Sequence, residues 1–264
     1  MSKRPKMFAV LPTLLTLGNA ACGFGSITFA AKVGPEQADG NHLLIAAMLI
    51  FLGMVFDMLD GSAARWAKQT SDFGAELDSL CDAISCGVAP AFLMLQFSRE
   101  YHSRLLWVIA ALFVVCAVLR LARFNVETDD DDSHDFFSGL PSPAAAGTVA
   151  SFPIAMHGLT SMINPASPDS ESIMMVMRMA LPFITLAVAC LMVSRIRYSH
   201  VFNQLFRGKK NRQHLMQLVF TLAVIYMVNW MAVPLIFCYY AFASPVRALW
   251  TEVVSRRLHK SQQI

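Results

Sequence analysis

The residues best suited to chemistry are four aspartates that recur at helical spacing within one stretch of the chain. They fall into two groups, each on one helix face: Asp57, Asp60, Gly61 and Ala64 at positions i, i+3, i+4 and i+7, and Gly74, Asp78 and Asp82 at steps of four. Each face therefore presents two carboxylates. Ordinary polar residues at helix ends would account for one or two of these aspartates, but not for four on matching faces.

Carboxylates that face one another beside a bilayer repel and lose solvation unless cations compensate them. Two divalent ions would supply four positive charges against the four negative ones. Oxygen ligands favour Mg²⁺ or Mn²⁺, ions that commonly bridge substrate phosphates. The small residues Gly61, Ala64 and Gly74 leave the helix faces bare for a nucleotide. Arg65 follows Gly61 by one turn and offers a planar guanidinium to phosphate oxygens.

The composition is that of a membrane protein. Of the 264 residues, 56% are hydrophobic and 15% are charged, whereas soluble domains have about 25% charged residues. Apolar runs suited to membrane-spanning helices recur along the chain: 11–31, 42–60, 77–98, 104–123, 143–160, 175–194 and 215–243. No stretch is left for a separate soluble domain. The net charge of +3, in short basic clusters, does not suit a nucleic-acid partner.

The charge distribution predicts the topology. The last apolar run contains Pro234 and is either a helical hairpin or one kinked helix. With a cytoplasmic N-terminus and a hairpin, 17 of the 21 lysines and arginines face the cytoplasm, and the other side holds Lys32, Arg99, Arg104 and Arg178. Membrane proteins carry such an excess in their cytoplasmic loops. We therefore expect eight spans with both termini in the cytoplasm.

The aspartates and their neighbours resemble the complete signature of the CDP-alcohol phosphotransferase family: Asp57-x2-Asp60-Gly61-x2-Ala64-Arg65-x8-Gly74-x3-Asp78-x3-Asp82. The resemblance implies an all-α fold, a polytopic membrane bundle with a core of six helices, to which two C-terminal helices would be added here. It also implies a homodimer in a bacterial or archaeal cell membrane, with an active site that faces the cytoplasm.

The same resemblance implies a role for each matching residue. Asp57, Asp60 and Asp78 would be metal ligands. Asp82 would be both a ligand and the general base. Contacts to the CDP-lipid would come from a further set: Asn19, Gly61, Ala64, Arg65, Ser71 and Gly74.

Other stretches are similar to the membrane-bound phosphatidylserine synthases of this family: LRLARFNVE (119–127), FSGLPSPAAAG (137–147) and MVSRIRYSH (192–200). This similarity implies transfer of the phosphatidyl group of CDP-diacylglycerol to L-serine, with release of CMP. We assign residues 1–200 to the family's membrane domain. Residues 201–264 would form an additional membrane hairpin and a cytoplasmic tail.

Serine is a zwitterion, so a site that selects it needs a cation for its carboxylate and acceptors for its ammonium. Arg120 and Arg123 are the candidate cations, and Asn125 is a candidate hydrogen-bonding partner. The alternative for both arginines is an anchor that reaches lipid headgroups. Helix initiation explains Pro141 and Pro143, which flank Ser142, so these two prolines are left outside the predicted site.

Three other functions compete with this interpretation. The same chemistry could use glycerol phosphate or an inositol phosphate, acceptors that favour several cations. A cation transporter would place carboxylates through the membrane depth, whereas these four cluster at one side. A structural scaffold would require no spacing rule for aspartates.

Overall fold

The computed structural model describes residues 7–33, 40–67, 72–101, 104–129, 137–162, 168–194, 196–198 and 232–261, and these are almost entirely helical. The α-helices in this part of the chain are α1 (Met7–Ala31), α2 (Gly40–Ala67), α3 (Asp72–Asp82), α4 (Ala89–Phe97), α5 (Arg104–Asp129), α6 (Ser142–Met162), α7 (Pro168–Val193) and α8 (Ala232–Ser261). A π-helical turn, Ala83–Val88, joins α3 to α4, and a 3₁₀ turn, Arg99–Tyr101, follows α4.

Five helical segments within the described residues are long and apolar enough to cross a membrane: Pro12–Ala31, Asn41–Ala63, Phe73–Phe97, Arg104–Val126 and Ser172–Val193. They coincide with five of the predicted runs. Large apolar side chains such as Phe24, Trp107 and Phe183 are exposed on their outer faces, as a lipid-facing surface requires. The predicted class, an all-α polytopic bundle, is confirmed, and the chain is an integral membrane protein.

Helix α2 extends further than its apolar run. The run ends near residue 60, whereas the helix continues to Ala67. Hydropathy falls there because polar and small residues replace apolar ones, but the backbone hydrogen bonds of a helix do not depend on apolar side chains. The extension keeps Gly61 and Arg65 on the helix that carries Asp57 and Asp60.

Helix α6 is enclosed by the rest of the bundle. It packs against α2, α4, α7 and α8, and residues 144–156 are all buried. Small residues between Ala144 and Gly147 allow neighbouring helices to approach closely. The predicted fifth span is therefore a 21-residue helix whose small and polar side chains suit protein contacts rather than lipid.

The π-helical turn Ala83–Val88 interrupts a run that the sequence predicted as one helix. The wider turn shifts the helix faces directly after Asp82 and buries Ser85, Cys86 and Gly87. Helix α1 approaches this turn closely, since a Cβ added at Gly23 would lie 2.8 Å from the Cα of Ser85. The turn therefore fixes how Asp82 sits against α1.

Two short strands join the start of α6 to the end of α7. Strand β1 (Phe137–Ser138) pairs antiparallel with β2 (Arg197–Tyr198), and the Gly139 N–H donates to the Ile196 carbonyl at 2.9 Å. Gly139 has φ +91°, a conformation that favours glycine, and a side chain there would collide with the Met192 carbonyl. The pairing brings together two stretches that resemble phosphatidylserine synthases.

A polar cluster ties α1, α4 and α7 together at one end of the bundle. The Arg99 Nη1 donates to the Val33 carbonyl at 2.5 Å, and the Ser98 hydroxyl donates to the Arg178 carbonyl at 2.8 Å. The Arg178 side chain pairs with Glu100. Two of the four basic residues assigned to the non-cytoplasmic side thus lie in one cluster, and their side of the membrane stays a prediction.

Helix α8 differs from the predicted last run at both ends. It begins at Ala232, with Pro234 in its first turn, where proline is tolerated. It continues to Ser261, past the predicted end at residue 243, because lysine and arginine lower hydropathy yet are good helix formers. The first part of that run lies outside the described residues. The hairpin, the eighth span and the domain boundary at residue 200 stay predictions.

Candidate active site

The structure brings together three of the four aspartates. Asp57 and Asp60 lie one turn apart on α2, and Asp78 lies on α3. One carboxylate oxygen from each lies within 4.8 Å of the other two. Helix α1 packs along α2 and against α3, so the bundle holds the two helices that carry these carboxylates. We call Asp57, Asp60 and Asp78 the aspartate cluster.

The donor set of the aspartate cluster fits a divalent cation. Two of its buried oxygens, Asp60 Oδ2 and Asp78 Oδ1, have no hydrogen-bond partner among the described residues. Asp60 is only 5% exposed. A buried carboxylate oxygen without a partner is costly unless a positive charge compensates it. A set made only of carboxylate oxygens suits a hard ion that also binds phosphate.

Asp82 lies at the edge of the aspartate cluster rather than within it. It is the last residue of α3 and is buried, and its Oδ1 accepts a hydrogen bond from the Asn19 Nδ2 at 2.9 Å. It remains close enough to Asp57 and Asp78 for their charges to interact. Only Asp57, Asp60 and Asp78 converge among the described residues. The metal-ligand role of Asp82 therefore stays a prediction.

Asn19 is fully buried between α2 and α3. Its amide nitrogen contacts Asp82, and its Oδ1 lies so close to α2 that a Cβ at Gly53 would be 2.8 Å from it. The observed partner of Asn19 is thus a carboxylate. The predicted contact between Asn19 and the nucleotide stays a prediction.

Thr16 is a site residue that the sequence reasoning missed. It lies one turn before Asn19 on α1 and is buried, and its hydroxyl is within hydrogen-bonding reach of the Asp60 carboxylate. The same hydroxyl donates to the Pro12 carbonyl at 3.0 Å. The i, i+3 spacing of Thr16 and Asn19 was the available signal, since it places both on the face of α1 that meets the carboxylates.

The predicted nucleotide face is open at Gly61. A Cβ added there would have no atom within 4 Å, so a ligand can approach the backbone of α2. Gly74 lies in the first turn of α3. Ala64 and Arg65 are helical, but their side chains are outside the described part, as is Ser71. Their proposed contacts stay predictions.

Arg120 points into the bundle near the carboxylates. It is half-buried on α5, and its Nη1 donates to the Oγ of the buried Ser142 on α6 at 2.5 Å. Its guanidinium lies 5.8 Å from the Phe124 ring centroid and interacts electrostatically with Asp82 and Asp57. This geometry differs from that of an anchor that reaches lipid headgroups. It also brings Ser142, which was not among the predicted site residues, to the site.

Arg123 and Asn125 occupy the next turn of α5, and both are half-buried. The Asn125 Nδ2 donates to the Ser79 Oγ at 2.9 Å, and the Ser79 hydroxyl lies 3.1 Å from the Asn125 Oδ1. Ser79 directly follows Asp78, so Asn125 ties α5 to the helix that carries a predicted metal ligand. The predicted acceptor contacts of Arg123 and Asn125 stay predictions.

Comparisons with known proteins place this site in a family. The family model described as CDP-alcohol phosphatidyltransferase matches residues 9–184. An archaetidylserine synthase of Methanothermobacter thermautotrophicus is 36% identical over 201 residues, which are 75% of this chain and 73% of that protein. A CDP-diacylglycerol–serine O-phosphatidyltransferase of Helicobacter pylori is 33% identical over 189 residues, 72% of this chain and 71% of that protein.

An enzyme of the latter name from Mycobacterium tuberculosis is 39% identical over 157 residues, 58% of this chain. That match spans 49%, about half, of the mycobacterial protein. The family match includes the aspartate cluster, Asp82 and Arg120, and α8 lies beyond it. The family match covers more than half of the chain, and the family is the one that the aspartate signature resembles. This chain belongs to the CDP-alcohol phosphatidyltransferase family.

Proposed function

We propose that the chain transfers the phosphatidyl group of CDP-diacylglycerol to the hydroxyl of L-serine, giving phosphatidylserine and CMP. The observation that carries the proposal is the position of a half-buried arginine, Arg120, beside an aspartate cluster that fits a divalent cation. The cluster suits a pyrophosphate and the arginine suits a carboxylate. The names of the Helicobacter and Mycobacterium relatives, serine O-phosphatidyltransferases, support serine as the acceptor.

Asp57, Asp60, Asp78 and Asp82 would hold the metal, Mg²⁺ or Mn²⁺, which we propose to be two ions. Such ions offset the charge of the pyrophosphate and the charge that develops on the departing CMP. The bare backbone at Gly61 would admit the CDP group, together with Ala64, Gly74, Ser71 and Asn19, and Arg65 would contact its phosphates. The acyl chains would lie among the membrane helices.

Asp82 would take the proton of the serine hydroxyl as its oxygen attacks the phosphorus next to diacylglycerol. A new P–O bond to serine forms, the P–O bond to CMP breaks, and CMP leaves with the electron pair. The Asn19 amide holds Asp82 through Oδ1, so Oδ2 is the oxygen that would receive the proton. A carboxylate held by one oxygen keeps a defined orientation toward the attacking group.

On the acceptor side, Arg120 would bind the serine carboxylate, with Arg123 and Asn125 nearby on α5. The Ser142 hydroxyl accepts from Arg120 without cancelling its charge. Within the part of the chain that the structure describes, Arg120 donates to the Ser142 hydroxyl, and its positive charge would serve an anionic group of the acceptor. The name of the archaetidylserine synthase relative also contains serine. The assay below therefore compares a diacylglycerol donor with an ether-linked donor.

We further propose that the site faces the cytoplasm of a bacterial or archaeal cell and that the protein is a homodimer. The predicted eight-span topology would place 17 of the 21 lysines and arginines on the cytoplasmic side, which supports the orientation. Serine would then enter from the cytosol. A mass of twice one chain for the purified protein in detergent would test the dimer.

One assay tests both the reaction and the membrane face on which it takes place. Purified protein is reconstituted with Mg²⁺ or Mn²⁺ and either CDP-diacylglycerol or its ether-lipid analogue, and CMP release is followed with L-serine, glycerol 3-phosphate or inositol phosphate. We expect release with serine, at the vesicle face that corresponds to the cytoplasm. If CMP is released only with glycerol 3-phosphate or inositol phosphate, the acceptor is that compound and not serine. Cation uptake into sealed vesicles with no CMP release from any mixture would favour a transporter.

A further inference from the structure

The last described helix, α8, packs against α6, the helix that carries Ser142. The Phe237 ring lies against Gly147 of α6, where any Cβ would collide with it, and 5.5 Å from the Phe51 ring of α2. Ala241 is fully buried. Positions 237 and 241 are one turn apart, so they share the face of α8 that packs against α6. The contact at Gly147 lies five residues after Ser142.

Tyr240 lies on the same side of α8. It follows Phe237 by one turn, is half-buried and packs against the buried core. Its hydroxyl is close enough to the Arg120 guanidinium for the two groups to interact electrostatically. Tyr239, the preceding residue, is 68% exposed and faces away from the bundle. The two adjacent tyrosines therefore have different environments on one helix.

We infer that Tyr240 is a positioning residue that, with Ser142, orients Arg120 toward the carboxylate of an amino-acid acceptor. The inference rests on the proposed function and assigns a part of the site to α8, which lies beyond the family match. Arginine offers five N–H donors in a fixed plane. Ser142 already receives one of them, from Nη1, and the neutral phenol of Tyr240 lies within electrostatic range of the same guanidinium.

Neutral acceptors are suited to this task for an electrostatic reason. A carboxylate partner would hold Arg120 equally well but would cancel the charge that serine needs. Hydroxyl groups orient the guanidinium and leave its charge for the substrate. Ser142 and Tyr240 come from α6 and α8, and an arginine oriented from two helices would lose less side-chain freedom when the acceptor binds.

The test compares Tyr240→Phe with Tyr239→Phe, because both changes remove one phenol oxygen and keep the ring. We expect Tyr240→Phe to raise the KM for serine about 3- to 10-fold, because an orienting contact to Arg120 is lost while its charge stays. The KM for CDP-diacylglycerol and kcat should stay within about twofold. The preference for L-serine over ethanolamine, which has no carboxylate, should narrow by the same factor. Tyr239→Phe should leave all four quantities unchanged.

Ser142→Ala removes the other proposed contact to the Arg120 guanidinium. It should narrow the preference for L-serine over ethanolamine in the same way. Equal behaviour of the two tyrosine variants would overturn the inference. It would also be overturned if Tyr240→Phe lowered the thermal unfolding midpoint and raised both KM values together, since that is the effect of lost packing. In either case the wild-type protein would still release CMP with serine. Failure of the wild type to use serine would instead refute the proposed function.

Discussion

The candidate site has two halves that are built in different ways. The carboxylate half lies on α1, α2 and α3 and contains Asn19, Asp57, Asp60, Asp78 and Asp82. The acceptor half lies on α5, α6 and α8 and contains Arg120, Ser142 and Tyr240. The first half places negative charges together, which creates a demand for cations. The second holds a positive charge with neutral hydroxyl groups.

The halves also differ in how far apart their residues lie in the sequence. Asp57, Asp60 and Asp78 come from two helices that follow one another. In the acceptor half, Ser142 lies 22 residues after Arg120, and Tyr240 is further still. The difference suggests a division of work, in which the carboxylate half supports the reaction with any acceptor and the acceptor half chooses the alcohol. Substitutions in the two halves should therefore change different quantities.

The largest effect is expected at Asp82. Asp82→Asn keeps most of the side-chain volume but removes the proton acceptor, so kcat should fall on the order of 100-fold or more with every acceptor. CMP release at saturating metal and CDP-diacylglycerol measures this. Near-normal turnover under those conditions would refute the role of Asp82 as the base.

Asp57→Asn is the matched control within the same half. Asp57 belongs to the aspartate cluster, so its loss should chiefly weaken binding of metal and nucleotide, and a raised metal concentration should restore part of the activity. The Asp82 variant should not respond to added metal in this way. If both variants are rescued alike, the distinction between ligand and base fails.

A smaller effect is expected in the acceptor half. Arg120→Ala removes a charge-assisted contact to serine, worth about 1.5–3 kcal/mol, so the KM for serine should rise by about 10-fold or more. The KM for CDP-diacylglycerol should change less. Arg123→Ala should have the weaker effect of the two, because the structure shows the guanidinium of Arg120 bonded to Ser142 and near Asp82 and Asp57. An unchanged serine KM in a folded Arg120→Ala variant would return this arginine to the role of an anchor.

The carboxylate half could be predicted because its information is local. Residues at i, i+3 and i+4 share a helix face whatever the rest of the chain does, and two such faces with unmet charge favour a common site. The same holds for the helices, whose apolar runs agree with the five described spans. Thr16 was missed although it lies one turn from Asn19, since a hydroxyl on an apolar helix carries little signal of its own.

In the acceptor half, Arg120 was a candidate cation from the sequence, but its partners Ser142 and Tyr240 could not be predicted because tertiary packing assembles them. Ser142 follows a proline at the start of α6, a pattern that helix initiation already explains, and only packing against α5 gives it Arg120 as a partner. The π-helical turn after Asp82 lies close to Gly23 of α1. The two segments are far apart in the sequence, so no local pattern predicts this contact. The position of α8 depends on Gly147 and Phe237, which no periodicity links.

The smallest predicted effect decides to which half Asn125 belongs. The sequence suggests an acceptor contact, whereas the structure shows paired hydrogen bonds between Asn125 and Ser79, next to Asp78. If this link is its main role, Ser79→Ala and Asn125→Ala should each lower turnover about threefold, and the double variant should be no worse than either. Such non-additivity corresponds to a coupling of about 0.6 kcal/mol, within the range of a single hydrogen bond. If Asn125 instead contacts serine, Asn125→Ala should raise the serine KM while Ser79→Ala leaves it unchanged. Because each outcome differs in both the serine KM and the additivity, the cycle assigns Asn125 to one half without requiring a large loss of activity.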